Sequence, residues 1–592
     1  MPDAPAPARR LYRGGAVYSP ADPFATAMLV EGSTIAWVGP DEAAPAWTRG
    51  GDEVVDLDGA LVVPAFVDAH VHTTETGLQR TGLDLSGTSG PAALLDAVAA
   101  HARRQRARYG AGALVTGFGW DDSAWDTGPQ GERGERGERG ERGEQARLPT
   151  RAQLERAADG APVQLSRVDG HSGLVSPALA AAAGLPAREE ALVRLGEHAA
   201  ALRARWAALP AAAAADARRA ALRAAAAAGT GTVHEMSGPE FAPAGDLAAL
   251  AALAGPGTAD ERAAGREALP RVVGWSAQLV ADPDAAAAAV AALRAEGVDV
   301  GGLGGDLSVD GAIGSRTAAF RADYADAPGV RGTLRLSAAQ VRDHLHACTR
   351  ARVSAAFHAI GDAALDVLCA ALEEVAADLG APAVASCGHR VEHAVAADTG
   401  HTAVLARLGV GASVQPAFDA VWGGPQGTYA RRLGPARAAG LHPFAALAAA
   451  GVPLALGSDS PVTPLDGWAG VRAAALHRTG GHGISVRAAF LAATRGGHRL
   501  AGLARAGGGA GEGGVLRPGA PATYAVWRTG DLVVQAPDRR VSTWSTDPRS
   551  GTPGLPDLAP GAPLPVCLRT AVDGVLVHDA LGADGSPAAP HG

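Results

Sequence analysis

The stretch LVVPAFVDAHVHTTET, residues 61–76, is an apolar run that ends in two histidines, His70 and His72, with only Val71 between them. An apolar run of this kind is typical of a buried β-strand. Side chains two residues apart on a strand point to the same face, so both imidazoles would project together from one strand end. On an α-helix the same spacing would turn the two rings about 200° apart. The stretch therefore predicts a strand that delivers two ligands to a metal ion.

A second His-x-His pattern provides a contrast within the same chain. His344 and His346 lie in VRDHLHACTR, residues 341–350, whose composition is typical of a helix. On a helix these two rings diverge, and we expect both to be mostly in contact with solvent. The same pattern therefore predicts no metal site there.

The composition indicates a globular protein with a large core. Of the 592 residues, 47% are hydrophobic and 19% are charged, and the formal net charge is −9. A negative chain argues against nucleic acid as a partner, because a phosphate backbone needs a concentrated basic face. The sequence contains neither an apolar signal segment nor an apolar span of membrane length. We therefore expect a cytoplasmic protein that binds neither nucleic acid nor membrane.

Cysteine and lysine usage exclude several kinds of chemistry. The four cysteines are scattered, with no Cys-x-x-Cys pair, which favours a reducing compartment and excludes a thiolate zinc knuckle. All 52 basic residues are arginine, and the sequence has no lysine. Arginine stays protonated in proteins and cannot act as a nucleophile. Schiff-base chemistry, a P-loop lysine and a carboxylated-lysine metal bridge are therefore excluded.

The chain between about residues 90 and 500 alternates helical runs with short apolar segments. Strand–helix alternation of this length predicts a parallel sheet built from βα units, and about eight units predict a closed (β/α)8 barrel. Short strands at the beginning and the end predict one small β unit formed by both termini. The apolar segments are GALVTGF, PVQLSRV, GTGTVHEM, DLSVDG, VSAAFHAIGD, HRVEHA, GASVQP and PLALGSDSP.

Residues 131–145, GERGERGERGERGEQ, form a tandem repeat with glycine at every third position. The repeat lacks the proline and the length of a collagen segment. Alternating charges and frequent glycine prevent it from burying apolar surface. We predict a mobile, solvent-exposed loop.

Three further candidate ligands follow apolar segments at predicted strand ends. His358 ends VSAAFHAIGD, His393 ends HRVEHA, and Asp459 lies in PLALGSDSP. The carboxyl ends of parallel strands carry the active site of a (β/α)8 barrel. Together with His70 and His72, these side chains predict one metal centre at that end.

The sequence resembles the amidohydrolase superfamily and, within it, the YtcJ-like branch that includes N-substituted formamide deformylase. The resemblance covers nearly the whole chain and implies a distorted (β/α)8 TIM barrel, a small β-sandwich from both termini, and hydrolysis of non-peptide C–N bonds by metal-bound hydroxide. The implied domains are residues 1–62 and 498–592 for the sandwich and 63–497 for the barrel. The motifs that carry the resemblance are PAFVDAHVH, GFGWDDSAW, RVDGHSGLVSPALAAAAGL, VDGAIGSRTAAF, FHAIGDAAL, HRVEHA, GSDSPVTPLD and GVLRPGAPATYAVW.

The sequence departs from this family at one position. Many relatives place a carboxylated lysine four residues before the Asp-Gly of DGAIGSR, and here that position is Asp306, with Asp310 as the Asp of the motif. An aspartate is far shorter than a carboxylated lysine and would bridge two metals only if the backbone moved inward. We therefore place Asp306 and Asp310 behind the ligands and expect one divalent ion per chain, zinc by preference. Its three ligands would be His70, His72 and His358, with one position open for water.

The resemblance and the chemistry together suggest roles for the remaining polar residues. Asp459, as ligand or as base, would accept the proton of the water and return it to the leaving nitrogen. His393 would polarise the substrate carbonyl or help to hold a second metal. Asp362 would orient the His358 ring and Glu392 the His393 ring.

Four residues are candidates for binding the substrate. Arg316 lies in a glycine-rich loop, where its guanidinium could bind a carboxylate. His171, Trp120 and Asp121 belong to an insertion whose loops could cover the pocket. Packing is the competing interpretation for Trp120.

Two other functions remain open at this point. The same centre could serve a cyclic-amide hydrolase or a deaminase, because pocket shape decides between these substrates. A non-catalytic scaffold is the alternative from another class, although a scaffold has no need of five candidate ligands. The expected partner is a small amide-like molecule, and a homodimer is compatible with the sequence.

Deletion of residues 131–143 should lower the melting temperature by less than about 2 °C, because the repeat buries no apolar surface. Thermal denaturation of the full chain and of the deletion variant measures the difference. A larger loss of stability would show that the repeat packs against the protein.

Overall fold

The computed structural model describes residues 8–121, 125, 148–167, 172–238, 242–243, 245–502, 513–535, 544–545 and 552–581. The predicted repeat loop at 131–145 and His171 lie outside these residues.

The strands in chain order are β1 (Arg9–Arg13), β2 (Ala16–Val17), β3 (Ala27–Glu31), β4 (Thr34–Gly39), β5 (Glu53–Asp56), β6 (Leu61–Pro64), β7 (Phe66–Val71), β8 (Leu83–Asp84), β9 (Val115–Trp120), β10 (Val163–Arg167), β11 (Ser172–Val175), β12 (Leu192–Arg194), β13 (Thr230–Met236), β14 (Arg271–Ser276), β15 (Val300–Leu303), β16 (Ala356–Ala359), β17 (Arg390–His393), β18 (Gly411–Val414), β19 (Leu454–Leu456), β20 (Tyr524–Arg528), β21 (Leu532–Gln535), β22 (Trp544–Ser545), β23 (Leu555–Pro556), β24 (Val566–Val572) and β25 (Val575–Asp579).

The α-helices are α1 (Thr73–Thr81), α2 (Pro91–Tyr109), α3 (Arg151–Ala157), α4 (Pro177–Ala182), α5 (Leu195–Ala208), α6 (Ala211–Ala227), α7 (Asp246–Leu253), α8 (Ala259–Ala263), α9 (Pro283–Ala295), α10 (Ala338–Ala351), α11 (Asp362–Leu379), α12 (Ala381–Cys387), α13 (Thr399–Arg407), α14 (Pro416–Trp422), α15 (Thr428–Leu433), α16 (Pro435–Ala438), α17 (Phe444–Ala449), α18 (Gly467–Ala475), α19 (Val486–Leu491) and α20 (Gly497–Gly502). Within the described part of the chain, none of these helices combines the length and the apolar character needed to cross a bilayer.

The chain forms two compact units. The first comprises residues 1–71, 222–238 and 247–592, and the second comprises residues 72–221 and 239–246. The chain passes from the first unit to the second directly after β7, between Val71 and His72. The predicted domain boundaries at residues 62 and 497 stay a prediction.

The first unit contains eight parallel strands in two sheets, with the orders β15-β14-β13-β7 and β16-β17-β18-β19. Isolated parallel bridges pair Leu303 with Ala355 and Val71 with Ser460, at the two places where the sheets adjoin. All seven residues of β13 and all four of β17 are buried. Burial along the whole strand is what a parallel sheet covered on both faces requires. The result is a mixed α/β fold in which, within each of these two sheets, the carboxyl ends of the parallel strands lie at the same edge.

The structure corrects which segments supply these strands. GALVTGF and PVQLSRV overlap β9 and β10, which belong to a sheet of the second unit. β14 and β15 were missed, because RVVGWS and VGGL are short segments without polar residues characteristic of a site. DLSVDG is a loop after β15.

Both chain termini contribute to one five-stranded sheet of the first unit, with the order β2-β6-β20-β24-β25. A second sheet, β4-β3-β1-β5, comes from the N-terminal segment alone. The two segments share a hydrophobic core in which Met28 and Val30 accompany Leu516 and Leu568. The Tyr12 and Tyr524 hydroxyls also hydrogen-bond at 2.8 Å within this core. Both termini thus contribute strands to the same sheet and side chains to the same core, and their arrangement as a sandwich stays a prediction.

The second unit has its own sheet, with the order β12-β11-β10-β9-β8. Its core includes Leu94, Val115, Leu165 and Trp120. The indole Nε1 of Trp120 donates to the Leu165 carbonyl at 3.0 Å, and the residue is 1% exposed. Packing is therefore the observed role of Trp120.

The second His-x-His pattern lies on a helix, as predicted, but its burial differs from the prediction. The helix is α10, and a capping box between Ser337 and Gln340 starts it. His346 is 33% exposed at its side chain, whereas His344 is completely buried. The Nδ1 atom of His344 accepts the Val280 N–H at 3.0 Å. His344 is therefore a buried core histidine, because its helix face packs inward.

Burial lowers the pKa of His344 to about 4, from its ordinary value near 6.5. A folded-state pKa below the unfolded value means that the unfolded chain binds more protons between pH 6.5 and 4. Stability is thus fully present above pH 6.5 and falls as the pH drops. His344→Gln should reduce the stability lost between pH 7.5 and 5 by up to about 2 kcal/mol.

Denaturation of the wild type and the variant at both pH values measures this difference. His346→Gln is the matched control, because the same pattern on the same helix leaves that ring partly in water. An equal pH-dependent loss in the wild type and in both variants would contradict the assignment.

Candidate metal centre

Four of the predicted site residues lie at the carboxyl ends of parallel strands in the first unit. His70 lies near the end of β7, His358 lies in β16, His393 ends β17, and Asp459 follows β19. The corresponding ring centroids are 4.8 Å apart for His70 and His393 and 4.5 Å apart for His358 and His393. The structure therefore brings these residues together from both four-stranded sheets.

His70 is oriented by a carboxylate. Its Nδ1 lies 2.8 Å from Glu392 Oε2, and both side chains are fully buried. Since the carboxylate can only accept, Nδ1 carries the proton and Nε2 presents its lone pair to the other side. Nε2 lies 3.4 Å from Asp459 Oδ1. This is the arrangement of a histidine that binds a metal through Nε2.

His393 is oriented in the same way by Gln415, a residue that the sequence analysis missed. His393 Nδ1 lies 2.7 Å from Gln415 Oε1, and Gln415 is 1% exposed. An amide oxygen only accepts, so the His393 proton is on Nδ1 and the Nε2 lone pair is available. Because the proton is placed this way, the geometry favours His393 as a ligand over His393 as a hydrogen-bond donor to a carbonyl.

His358 faces the cluster through its other nitrogen. Its Nε2 lies 3.3 Å from the Gly311 carbonyl, and its Nδ1 lies 3.2 Å from Asp306 Oδ1. Both of these partners only accept, so each ring nitrogen of His358 faces an acceptor; with a cation bound, Nε2 would keep its proton and Nδ1 would be the nitrogen that faces the ion.

Asp306 lies among the three histidines rather than behind them. Its Oδ1 is 3.2 Å from His358 Nδ1, 3.6 Å from His393 Nε2 and 3.9 Å from His70 Nε2. The ligand atoms of His70, Asp306 and His393 all lie within 4.8 Å of one another. The structure thus places Asp306 beside the candidate ligands, whereas the sequence analysis placed it behind them.

Two glycines explain how the short side chain reaches the centre. Gly304 and Gly305 have φ values of +103° and +52°. A Cβ on Gly304 would lie 2.0 Å from the Ala356 carbonyl oxygen, and one on Gly305 would lie 2.7 Å from the Trp275 carbonyl oxygen. Only glycine permits both the dihedral angles and this close approach. The backbone therefore carries Asp306 inward.

These separations suit the coordination of a cation. Two atoms that each lie about 2.0–2.1 Å from a tetrahedral zinc ion are about 3.3 Å apart. The observed separations around Asp306 Oδ1 and between His70 and Asp459 run from 3.2 to 3.9 Å. Imidazole nitrogens and carboxylate oxygens are also common ligands of zinc. The residues present therefore fit a divalent metal ion.

Asp459 is held in place through the backbone. Its N–H donates to the His70 carbonyl at 2.8 Å, and its φ is +55°. The preceding N–H, of Ser458, donates to Asp68 Oδ1 at 2.8 Å. Asp68 also accepts the His70 N–H at 3.3 Å, which joins β7 to the loop after β19.

His72 is the first residue of the second unit and is 3% exposed. Its φ of −102° and ψ of 83° are not helical, and α1 begins at the next residue.

A buried arginine supports Glu392. Arg390 Nε and Nη2 donate to the two Glu392 oxygens at 2.5 and 2.8 Å. Nη2 also donates to the Ala69 carbonyl at 2.6 Å, Nη1 donates to His234 Nδ1 at 3.0 Å, and the guanidinium lies over the Trp275 ring. Arg390 was missed because it lies two residues before its partner on the same strand, where sequence alone does not reveal an inward-facing cation.

Burial and charge act in opposite directions on the acidic groups. Burial would raise the pKa of Asp306, but His358, His393 and His70 together hold that pKa well below its usual value. Burial likewise opposes ionisation of Glu392, whose pKa is nevertheless lowered by Arg390 and His70. Burial would lower the pKa of His358, yet Asp306 and Asp310 raise it to about 9. The centre thus holds two carboxylates, Asp306 and Glu392, in their ionised form.

Several predicted supporting roles differ from the observed contacts. Glu392 orients His70 rather than His393. Asp362 accepts the Arg321 N–H at 2.8 Å at the start of α11, because its side chain points away from His358 toward that loop. Asp310 accepts the backbone N–H groups of Ala319, Ile360 and Gly361, and so holds the loop that follows β16.

The proposed substrate-binding residues are engaged elsewhere. Arg316 Nε and Nη2 donate to the two Asp326 oxygens at 3.0 and 2.8 Å, so its guanidinium already binds a carboxylate of the protein. Asp121 accepts from Arg167 at 2.7 Å within the second unit.

Comparison with known proteins places the chain in one family. The model of the amidohydrolase family matches residues 53–578. The chain is 26% identical to the Arabidopsis thaliana protein LONG AFTER FAR-RED 3, over 76% of this chain and 75% of that protein. It is 24% identical to the putative amidohydrolase YtcJ of Bacillus subtilis, over 72% and 75% of the two chains.

The crystal structure of an uncharacterized metal-dependent hydrolase from Pyrococcus furiosus is similar in fold, with a TM-score of 0.66 and 23% identity, over 88% of this chain and 98% of that one. The match to the amidohydrolase family model, together with a histidine–carboxylate cluster that fits a divalent ion, indicates a metal-dependent hydrolase. The chain belongs to the amidohydrolase family, as the sequence resemblance predicted.

Gln415→Met should weaken metal binding about 10- to 100-fold, because methionine keeps the volume but removes the oxygen that orients His393. Competition with a chelator measures the affinity for Zn²⁺. Gln340→Met, at the cap of α10, is the control and should leave the affinity unchanged. Equal affinities in all three proteins would contradict the orienting role.

Proposed function

We propose that this protein hydrolyses a non-peptide C–N bond, amide-like in character, in a small molecule, with a divalent metal ion as cofactor. The observation that carries the proposal is the convergence of His70, His358, His393, Asp306 and Asp459 at the ends of parallel strands. Membership of the amidohydrolase family supports the reaction type. We further propose that the eight strands close into the distorted barrel and that the terminal sheets form the sandwich.

Zinc is the proposed ion, because imidazole nitrogens and carboxylate oxygens are its common ligands, whereas Mg²⁺ and Ca²⁺ prefer oxygen ligands alone. It would be held by His70, His358, His393, Asp306 and Asp459, and His72 is proposed as a further ligand from the strand pattern. When bound, such an ion lowers the pKa of water toward neutrality and polarises a carbonyl oxygen.

The proton transfers are proposed for Asp459. Its backbone is fixed by the hydrogen bond to His70, and its Oδ1 faces His70 Nε2 at 3.4 Å. From this position the carboxylate can accept a proton from the attacking water and return it to the leaving nitrogen. A protonated leaving nitrogen departs as a neutral amine, which completes cleavage of the bond.

The histidines supply position rather than protons. Glu392 and Gln415 occupy the Nδ1 atoms of His70 and His393, so neither ring can rotate without breaking a buried hydrogen bond. Because the ring nitrogens are already held in position, they need little rearrangement as the reaction proceeds.

Asp459→Ala should reduce turnover by about 10²- to 10⁴-fold while most of the metal remains bound, because the proton acceptor is lost but the histidines stay. His70→Ala should lose metal and activity together. His393→Ala should resemble His70→Ala if the ring is a ligand, as the proton on Nδ1 indicates. The paired measurement is metal per chain and the rate on a small amide found by substrate screening.

His346→Ala is the control and should change neither quantity, since its ring contacts Asp378 at the surface. Near-native turnover by Asp459→Ala would overturn the mechanism. Activity on cyclic amides or on amino-substituted rings alone would favour a cyclic-amide hydrolase or a deaminase, and metal binding without any activity would favour a scaffold.

A further inference from the structure

Four ring side chains of the first unit form a continuous series that leads away from His393. They are Phe418 and Trp422 on α14, Tyr429 on α15, and His442 shortly before α17, and we call them the aromatic wall. The Phe418 ring is nearly parallel to the His393 ring, with the centroids 5.9 Å apart and an interplanar angle of 14°. Centroid separations of 5.0, 6.2 and 5.7 Å then join each ring of the wall to the next in chain order. The wall therefore extends from a candidate metal ligand.

The position of α14 explains why the wall begins beside the strand ends. This helix follows β18 after a single residue, Gln415. Phe418 and Trp422 are four residues apart and so lie on the same helix face. Phe418 is buried and Trp422 is half-buried, whereas Val421 on another face of the helix is 60% exposed. The wall thus runs from the interior toward the surface.

The His442 ring is buried without hydrogen bonds. The residue is 1% exposed, and neither Nδ1 nor Nε2 has a hydrogen-bond partner among the described residues. His389, a buried histidine of the same unit, accepts the Ala355 N–H through Nδ1 at 2.9 Å and has Nε2 2.9 Å from the Thr349 hydroxyl. A buried polar group without a partner is costly and uncommon. His442 therefore requires an explanation other than packing.

The Tyr429 hydroxyl is the neighbouring polar group. Within the described ranges no hydrogen bond joins this hydroxyl to another residue. Tyr324 belongs to the same hydrophobic cluster, but its hydroxyl donates to the Ala318 carbonyl at 2.9 Å. Two tyrosines of one cluster thus differ, and the one beside His442 is the one whose hydroxyl is unused.

The backbone holds His442 in this place at some cost. Its φ is +54°, in the left-handed region that side-chain-bearing residues seldom adopt. Its N–H donates to the Val395 carbonyl at 2.7 Å, two residues after His393. Strained residues of this kind are concentrated at binding and catalytic sites. The strain and the unpartnered ring therefore point in the same direction.

We propose that the aromatic wall binds an aromatic group of the substrate, and that Tyr429 and His442 recognise a neutral hydrogen-bonding substituent, such as a hydroxyl, on that group. This proposal rests on the proposed function and adds the substrate class, an uncharged amide with a hydroxylated aromatic ring.

The chemistry of the wall selects this class of ligand. Ligand sites are lined mainly by apolar and aromatic side chains, with a few polar groups that provide specificity. Burial lowers the pKa of His442 to about 3, so the ring is neutral near pH 7, with one nitrogen that donates and one that accepts. The Tyr429 hydroxyl can also do both. A hydroxyl substituent donates and accepts as well, whereas a charged one would find no counter-ion in the wall.

Matched substrates test the proposal on the full chain loaded with Zn²⁺. An aromatic amide from substrate screening is compared with its three isomers that carry one added hydroxyl on the ring. The wild type should prefer one isomer to the parent amide about tenfold or more in kcat/KM, because the parent leaves polar groups of the site unpaired. Tyr429→Phe should lower kcat/KM for that isomer about 3- to 10-fold and should not lower it for the parent.

His442→Phe should have the same effect as Tyr429→Phe. If His442→Phe fails to fold, Tyr429→Phe decides, since it removes a single oxygen atom. Tyr324→Phe is the matched control from the same cluster and should keep the wild-type preference. Tyr324→Phe should also lower the melting temperature, because its hydroxyl bonds within the protein, whereas Tyr429→Phe should not. A lower melting temperature in both variants would show that the Tyr429 hydroxyl serves the fold and would overturn the proposal.

Phenol is a second probe, which no hydrolysis consumes. Calorimetric titration should show that the wild type binds phenol about 3- to 10-fold more tightly than Tyr429→Phe does. Equal affinities, or equal changes in kcat/KM for the parent and the hydroxylated amide, would overturn the recognition of the hydroxyl.

The two proposals can fail separately. Hydrolysis of amides without preference for any hydroxylated isomer, or of aliphatic amides alone, would overturn this inference and leave the proposed function standing. Phenol binding that is weakened in Tyr429→Phe, without hydrolysis of any amide tested, would do the reverse.

Discussion

A buried carboxylate held among three imidazoles is the constraint on which the rest of the centre depends. Asp306 is 8% exposed, and its Oδ1 lies within 3.9 Å of nitrogens from three histidines. An ionised carboxylate away from water is costly unless positive charge compensates it. Protonated imidazole or a bound cation provides that charge, so the strand ends must bring such groups to this point.

The surrounding contacts fix which atoms face the carboxylate. Arg390 holds Glu392, and Glu392 in turn holds the Nδ1 proton of His70. Gln415 does the same for His393 with a neutral amide. The buried ion pair of Arg390 and Glu392 therefore supports His70, whereas His393 is supported by a neutral side chain. Both solutions leave a lone pair for coordination, because a hydrogen bond to one nitrogen determines the state of the other.

Residue type and strand position allowed the candidate ligands to be recognised from sequence, but not their partners. His70, His358, His393 and Asp459 follow apolar segments, and the structure brings all four together. The approach of Asp306 was not predicted, because it depends on two glycine dihedral angles. The Arg316 guanidinium was assigned to a substrate, yet a carboxylate ten residues further along the chain occupies it.

The sequence by itself determined that β7 is a strand with His70 at its end, and it indicated further strand ends that carry candidate ligands. Such strand assignments depend on the pattern of apolar and polar residues over a few neighbouring positions. In β7, for example, alternate side chains point to opposite faces of the sheet. The tertiary structure alone decided which side chains meet. His70 and Glu392 are 322 residues apart, and their hydrogen bond exists because two sheets place strand ends side by side. Local pattern carries no information about such a distance, since it is set by the packing of the whole first unit.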